Sequence, residues 1–195
     1  RVDEILRKRI DDMSPDERAI ALSTDGLTGL HNKRSYEEGE RAPVQVSMDV
    51  DNLKYVNDNF GHDAGDMMLK KIGEAIDRAG GRDFSYHFHG DEFVMEGASQ
   101  EELESVITQA KTILSDEGID LNGNKYVPDF SYGFGSTLSE ADQQMMENKR
   151  SRRENGLLAQ RGQKPLTFNP TDISIPTKGV TNVQQETENQ IGRAS

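Results

Sequence analysis

Apolar residues recur along this chain in two different periods. Over 2–13, Val2, Ile5, Leu6, Ile10 and Met13 fall three or four apart, the spacing of one helix face. "SPDE" at 14–17 supplies a fresh helix start, with Ser14 as cap, Pro15 in the first turn and Glu17 closing a capping box. Residues 1–24 therefore read as connector helices that pack on the domain, with a dimerising coiled coil as the alternative. "APVQVSMDV" at 42–50 predicts a strand ending at "DVDN". Residues 61–81 predict a helix with Met67, Met68, Ile72, Ala75 and Ile76 on its apolar side and Gly80–Gly81 as its stop. "RDFSYHFHGDEFVMEG" at 82–97 predicts two short strands around a tip at His89–Asp91. An amphipathic helix is expected over 99–118, then an Asn-Gly turn and a strand near 129–135, then a last, increasingly basic helix over 138–155. From Leu157 the periodicity fades into Gln, Asn, Thr and Pro, so 157–195 read as a linker or disordered tail. Strand, helix, hairpin, helix, strand, helix is the order of an α/β sandwich: a central, mainly antiparallel sheet flanked by helices.

Composition narrows the partners. The 195 residues carry a formal net charge of −12, which argues against general nucleic-acid or anionic-membrane binding. An anionic ligand would need a local Lys/Arg cluster or a metal. There is no cysteine, so disulfides and thiolate metal sites are excluded and a cytoplasmic setting is expected. No apolar run approaches the roughly 20 residues of a membrane helix. The first residue is Arg1 rather than Met, and the chain reads as a piece of a larger protein.

Three clusters could carry chemistry. In "MDVDNLKYVNDNFGHDAGD" at 48–66, Asp49 stands at the C-terminal end of a strand, where α/β sheets present ligand groups, and Asp51 lies two residues on, able to face the same side. The loop expected after it offers backbone N–H groups and Lys54 as a phosphate cradle. Asn57 and Asp66 supply an amide and an acceptor, the inventory that reads a guanine edge. A solvated acidic loop is the plain alternative. In "FHGDEFVM" at 88–95, the Gly90 turn brings Asp91 and Glu92 together, and Asp91 with Asp49 would suit Mg²⁺, which takes few carboxylates and keeps phosphate or water oxygens. A plain polar hairpin turn is equally compatible. In "KRSRR" at 149–153, Lys149 and Arg153 share a helix face and form a candidate triphosphate clamp, or a basic helix end that complements the dipole.

Taken in order, these pieces resemble the GGDEF family, the diguanylate cyclases. "DGLTGLHNKRSY" at 25–36 is similar to D-x-L-T-G-L-x-N-R-R. "DVDNLKYVNDNFGHDAGDMML" at 49–69 is similar to D-x-D-x-F-K-x-x-N-D-x-x-G-H-x-x-G-D-x-x-L. "HGDEF" at 89–93 stands where G-G-D-E-F belongs, and "SYGFG" at 131–135 resembles S-x-G-x-A. "ADQQMMENKRSRREN" at 141–155 resembles A-D-x-A-[ML]-Y-x-A-K-x-x-G-R-N. The resemblance covers about residues 25–156, which read as the catalytic domain.

The resemblance implies a nucleotidyl-cyclase palm-like fold and a homodimer whose subunits each hold one GTP and Mg²⁺, with Mn²⁺ as the substitute. The 3′-hydroxyl of each GTP would attack the α-phosphate of the other, giving cyclic di-GMP and two pyrophosphates. It implies that Asp49, Asp91 and the Val50 carbonyl bind metal, that Asp91 helps deprotonate the 3′-hydroxyl and that Glu92 supports the metals. It further implies that Asn57 and Asp66 read guanine and that Lys54, Lys149 and Arg153 hold phosphates, with His89 and Gly90 beside the nucleotide. The chain departs from the pattern at several positions. His89 replaces the first signature Gly, where an imidazole would crowd the nucleotide. His87 replaces the usual Arg two residues earlier. The product-inhibition motif R-x-x-D keeps only Asp83, because position 80 is Gly. Met146 and Glu154 replace Tyr and Asn. Two further readings stay open: a degenerate domain that binds GTP or another nucleotide as a sensor or scaffold, and a cyclase with a mixed purine product.

Overall fold

Strand β2 (Val44–Val50) decides which side of the sheet does what. Its even positions Val46, Met48 and Val50 are at most 2% exposed and join the main core. Its odd positions Gln45, Ser47 and Asp49 are polar, and they face the opposite side, because successive strand side chains point to opposite faces. The computed structural model describes residues 1–165.

The elements before β2 are α1 (Val2–Leu6), α2 (Pro15–Ser23), β1 (His31–Asn32) and α3 (Lys33–Glu38). After it come α4 (Leu53–Phe60), α5 (His62–Arg78), β3 (Ser85–His89), β4 (Glu92–Gly97) and α6 (Gln100–Glu117). The small hairpin β5 (Ile119–Leu121) and β6 (Asn124–Tyr126) precedes β7 (Phe130–Gly135) and α7 (Leu138–Glu154). The five-stranded sheet runs β1-β3-β4-β2-β7, and only the β1–β3 pair is parallel. The expected mainly antiparallel sandwich is therefore present.

One face carries the core. Met68, Leu69, Ile72, Ala75 and Ile76 of α5 and Leu103, Ile107, Ala110 and Leu114 of α6 pack with Val46, Met48, Phe93 and Met95 of the sheet. Burying each of the larger of these side chains contributes about 1.5–3 kcal/mol. The other face takes α7. It lies so close to β7 that a Cβ on Gly133 would strike the backbone of α7 at Met145, and one on Gly135 that of Ala141. The two glycines of "SYGFG" are thus a packing requirement, and Ala141 is fully buried beneath them.

Three sequence expectations change. The helix expected over 2–13 breaks after Leu6 and leaves a 3-10 turn at Ile10–Asp12. Ile5 and Met13 are buried but Ile10 is 69% exposed, so the apolar stripe never packs as one face. The Ser14–Glu17 capping box does form and starts α2. The loop expected after "DVDN" is instead α4, entered through Asn52 at φ 65. Leu53, Val56 and Phe60 are spaced for a helix and pack on the core. Of the tail expected over 157–195, residues 157–165 are described, and Leu158, Ala159 and Pro165 among them are buried. Residues 166–195 lie outside the described part.

Candidate active site

The end of β2 and the β3–β4 turn are held together by backbone. The Val50 N–H donates to the Asp91 carbonyl at 2.8 Å, and Asp49 stands opposite Glu92 in the ladder. Gly90, at φ +52, makes the turn, and the ladder shifts register between His87 and His89. Asp49, Val50, Asp91 and Glu92 therefore meet at one rim. Two helices bring cations to it. Lys149 of α7 forms an ion pair with Asp49, and its Nζ lies 3.7 Å from Asp51. Arg153 follows one turn later, with a buried Nε that has no hydrogen-bond partner among the described residues. Lys54 stands on the first turn of α4, paired with Asp58 at 2.6 Å. These residues line a cleft of about 380 Å³, within the size range of small-molecule sites.

Burial raises the Asp49 pKa, Lys149 opposes this, and the neighbouring Asp91 and Asp51 charges raise it further. The net displacement is upward, with burial as its largest cause. Among the described residues no three His, Asp or Glu side chains form a closed cage. The rim offers the carboxylates of Asp49, Asp91 and Glu92 and the Val50 backbone, hard oxygen donors in an open arrangement. Such a set fits Mg²⁺ or Mn²⁺ that takes its remaining ligands from phosphate or water.

The other expected site residues lie beside the cleft and do not line it. Asn57 is one turn along α4 from Leu53, a cleft residue, and its side chain fills the space where Gly65 of α5 lacks a Cβ. Asp66 follows Gly65 directly on α5 and is exposed. The His89 side chain is 66% exposed and lies 3.6 Å from Glu92. It is exposed at the tip, beside the register shift of the β3–β4 ladder.

Residues behind the cleft hold its walls in place. Asp51 shares a side with Asp49 as expected, but it is 1% exposed and takes no place in the cleft wall. It accepts from Ser131 Oγ at 2.8 Å and from Arg152 at 2.7 Å. Arg152 also donates to Asp129 at 3.0 Å. The available signal was Arg152 itself, an arginine at the Gly of K-x-x-G-R. His87 stands where the family pattern has Arg. It is 4% exposed, with Nδ1 2.9 Å from Asp25 and Nε2 2.9 Å from the Gly90 carbonyl. It ties the first motif to the signature turn. Leu158, Ala159, Arg161 and Gly162 of the expected tail also line the cleft, with no periodic signal to reveal them.

The family model described as "Diguanylate cyclase, GGDEF domain" matches residues 22–155. Diguanylate cyclase DgcN of Escherichia coli (strain K12) is 30% identical over 138 residues, covering 63% of this chain and 34% of that protein. Diguanylate cyclase DgcP of Pseudomonas aeruginosa is 40% identical over 92 residues, covering 41% of this chain and 14% of that protein. The chain thus spans about a third or less of these relatives' length. The crystal structure of diguanylate cyclase SiaD with its activator SiaC, from Pseudomonas aeruginosa, superposes with a TM-score of 0.55 at 26% identity, covering 66% of this chain and 58% of that one. The FimX GGDEF domain from the same species gives 0.56 at 15% identity, covering 66% and 94%, a likeness of fold. No helix among the described residues is long and apolar enough to cross a membrane.

Proposed function

Because the chain belongs to the GGDEF family, with residues 22–155 matching its model, we propose that it is a diguanylate cyclase working as a homodimer. In each of two steps a 3′-hydroxyl oxygen of one GTP bonds the α-phosphorus of the other. The bond from that phosphorus to the bridging oxygen of the β-phosphate breaks, and pyrophosphate leaves with the electron pair. Two steps close cyclic di-GMP.

The observation that carries this reading is the meeting of Asp49 and Asp91 at one rim, faced by Lys54, Lys149 and Arg153 across the cleft. Asp49, Asp91 and the Val50 carbonyl would hold Mg²⁺ or Mn²⁺, which when bound neutralises phosphate charge. Asp91 accepts the 3′-hydroxyl proton, and Glu92 lends further negative charge to the metal side. Lys149 and Arg153 bind phosphate oxygens and stabilise the charge that grows on the leaving pyrophosphate. Lys149 must exchange its ion pair with Asp49 for phosphate, which leaves Asp49 free for the metal. Lys54 binds phosphate from the α4 side. Asn57 on α4 and Asp66 on α5 read the guanine edge, with His89 and Gly90 at the outer lip.

Incubation with GTP and Mg²⁺, followed by chromatography of the nucleotides, tests the reading: cyclic di-GMP and pyrophosphate are expected. GTP binding without any product would replace it with the sensor or scaffold reading. A mixed cyclic dinucleotide from GTP plus ATP would replace the guanine selectivity assigned to Asn57 and Asp66.

A further inference from the structure

We propose that the segment behind α7 is a strap completing the phosphate wall of the cleft, with Arg161 as an additional phosphate-binding cation. The identity of the anion as a nucleoside triphosphate rests on the function proposed above.

The strap is built, not loosely laid. Gly156, at φ +68, turns the chain where a Cβ would be strained, and its N–H donates to the Arg153 carbonyl at 3.1 Å. The N–H groups of Leu157 and Leu158 then donate to the Arg152 carbonyl at 2.8 and 3.1 Å. These bonds satisfy carbonyls in the last turn of α7. Leu158 and Ala159 are each only 7% exposed, so they anchor the segment. The Gln163 N–H donates to the Gln160 carbonyl at 2.9 Å and closes a turn with Arg161 inside it. A Cβ on Gly162 would lie 3.6 Å from Lys54 Cε, so this turn reaches α4 across the cleft mouth.

Charge gives the strap its purpose. Lys54 is paired with Asp58, and Lys149 with Asp49. Arg153 and Arg161 form no ion pair with any described residue, and the buried Arg153 Nε has no acceptor. In a chain of net charge −12, two uncommitted guanidinium groups line one small cleft. A guanidinium presents a planar fork of donors matched to phosphate oxygens, and needs no proton adjustment to do so. Arg153 comes from α7 and Arg161 from the strap, so they approach an anion from different elements of the wall.

Calorimetric titration of the full chain with the non-reacting GTP analogue bearing a methylene between the α and β phosphorus tests this. Arg161 is exposed, so R161A leaves the packing alone. Its affinity is expected to fall roughly tenfold, the worth of one charge-assisted hydrogen bond, and R161K to recover part of it. The same order is expected with inorganic tripolyphosphate. Unchanged affinity in R161A would overturn the proposal, and tighter binding would do so by marking the strap as an obstruction. If affinity depends on Arg161 while the wild type makes no cyclic dinucleotide, the strap assignment stands and the cyclase reading fails. Turnover with R161A affinity unchanged is the reverse, and a wild type that binds neither anion overturns both.

Discussion

His87 and Asp25, 62 positions apart in sequence, are joined by a 2.9 Å contact between imidazole Nδ1 and a carboxylate oxygen. The other ring nitrogen faces the Gly90 carbonyl at 2.9 Å. Both nitrogens meet acceptors, so only the imidazolium satisfies both. Burial works to lower the His87 pKa, but Asp25 and the Gly90 carbonyl outweigh it and raise it above the ordinary 6.5. Burial likewise works to raise Asp25, while His87 and Thr28 hold it below 3.8. The stabilisation from His87 is therefore full below pH 6.5 and is lost as pH rises through its folded value. That from Asp25 is lost as pH falls through its own. Melting temperature should decline on the alkaline side in the wild type, whereas His87→Arg should remove that decline. His87→Ala should cost about 2 kcal/mol at pH 6. An identical alkaline profile in wild type and His87→Arg would refute the tie.

Arg152 answers a buried acid. Asp51 is 1% exposed and depends on Arg152 and Ser131. Removing the guanidinium by Arg152→Ala strands that carboxylate, at a cost of about 3 kcal/mol or more. Urea unfolding measures it. Asp51→Asn in the same chain should recover much of the loss, and simple additivity of the two changes would count against the pairing.

Asp91→Asn should abolish cyclic di-GMP formation with little change in melting temperature. The bond that fixes the turn uses the Asp91 backbone carbonyl, which the substitution keeps. Product formation at the wild-type rate would remove Asp91 from the chemistry.

His89→Gly should alter turnover less than about threefold, because the imidazole is 66% exposed and its contact to Glu92 is long, at 3.6 Å. A rise or loss of two orders of magnitude in kcat would mean that the imidazole reaches the nucleotide after all.

Much of this molecule is decided by local pattern. The alternation of Val46, Met48 and Val50 with Gln45, Ser47 and Asp49 fixes a strand with one apolar and one polar face. The three- and four-residue spacing in α5 and α6 fixes helices with one apolar stripe each. Ser14 and Glu17 announce the start of α2 by a bond between near neighbours in the chain. The ordered motifs also point to Asp49, Asp91, Lys149 and Arg153. What sequence does not hold is the distance between the two polar stripes. Ser47, Asp49 and Asp51 advance about 13 Å along a strand, and Asp142, Lys149 and Arg152 advance about 15 Å along a helix. They meet in order, Ser47 with Asp142, Asp49 with Lys149 and Asp51 with Arg152. That match exists only because Gly133 and Gly135 let α7 lie directly on the sheet. The same holds for His87 with Asp25, and for the strap, whose buried residues Leu158 and Ala159 are too few to make a period. A local pattern reports which face of an element is apolar. Which charge meets which, and whether an aperiodic segment finds a surface to cover, depend on how separately formed elements pack, and only the tertiary structure decides that.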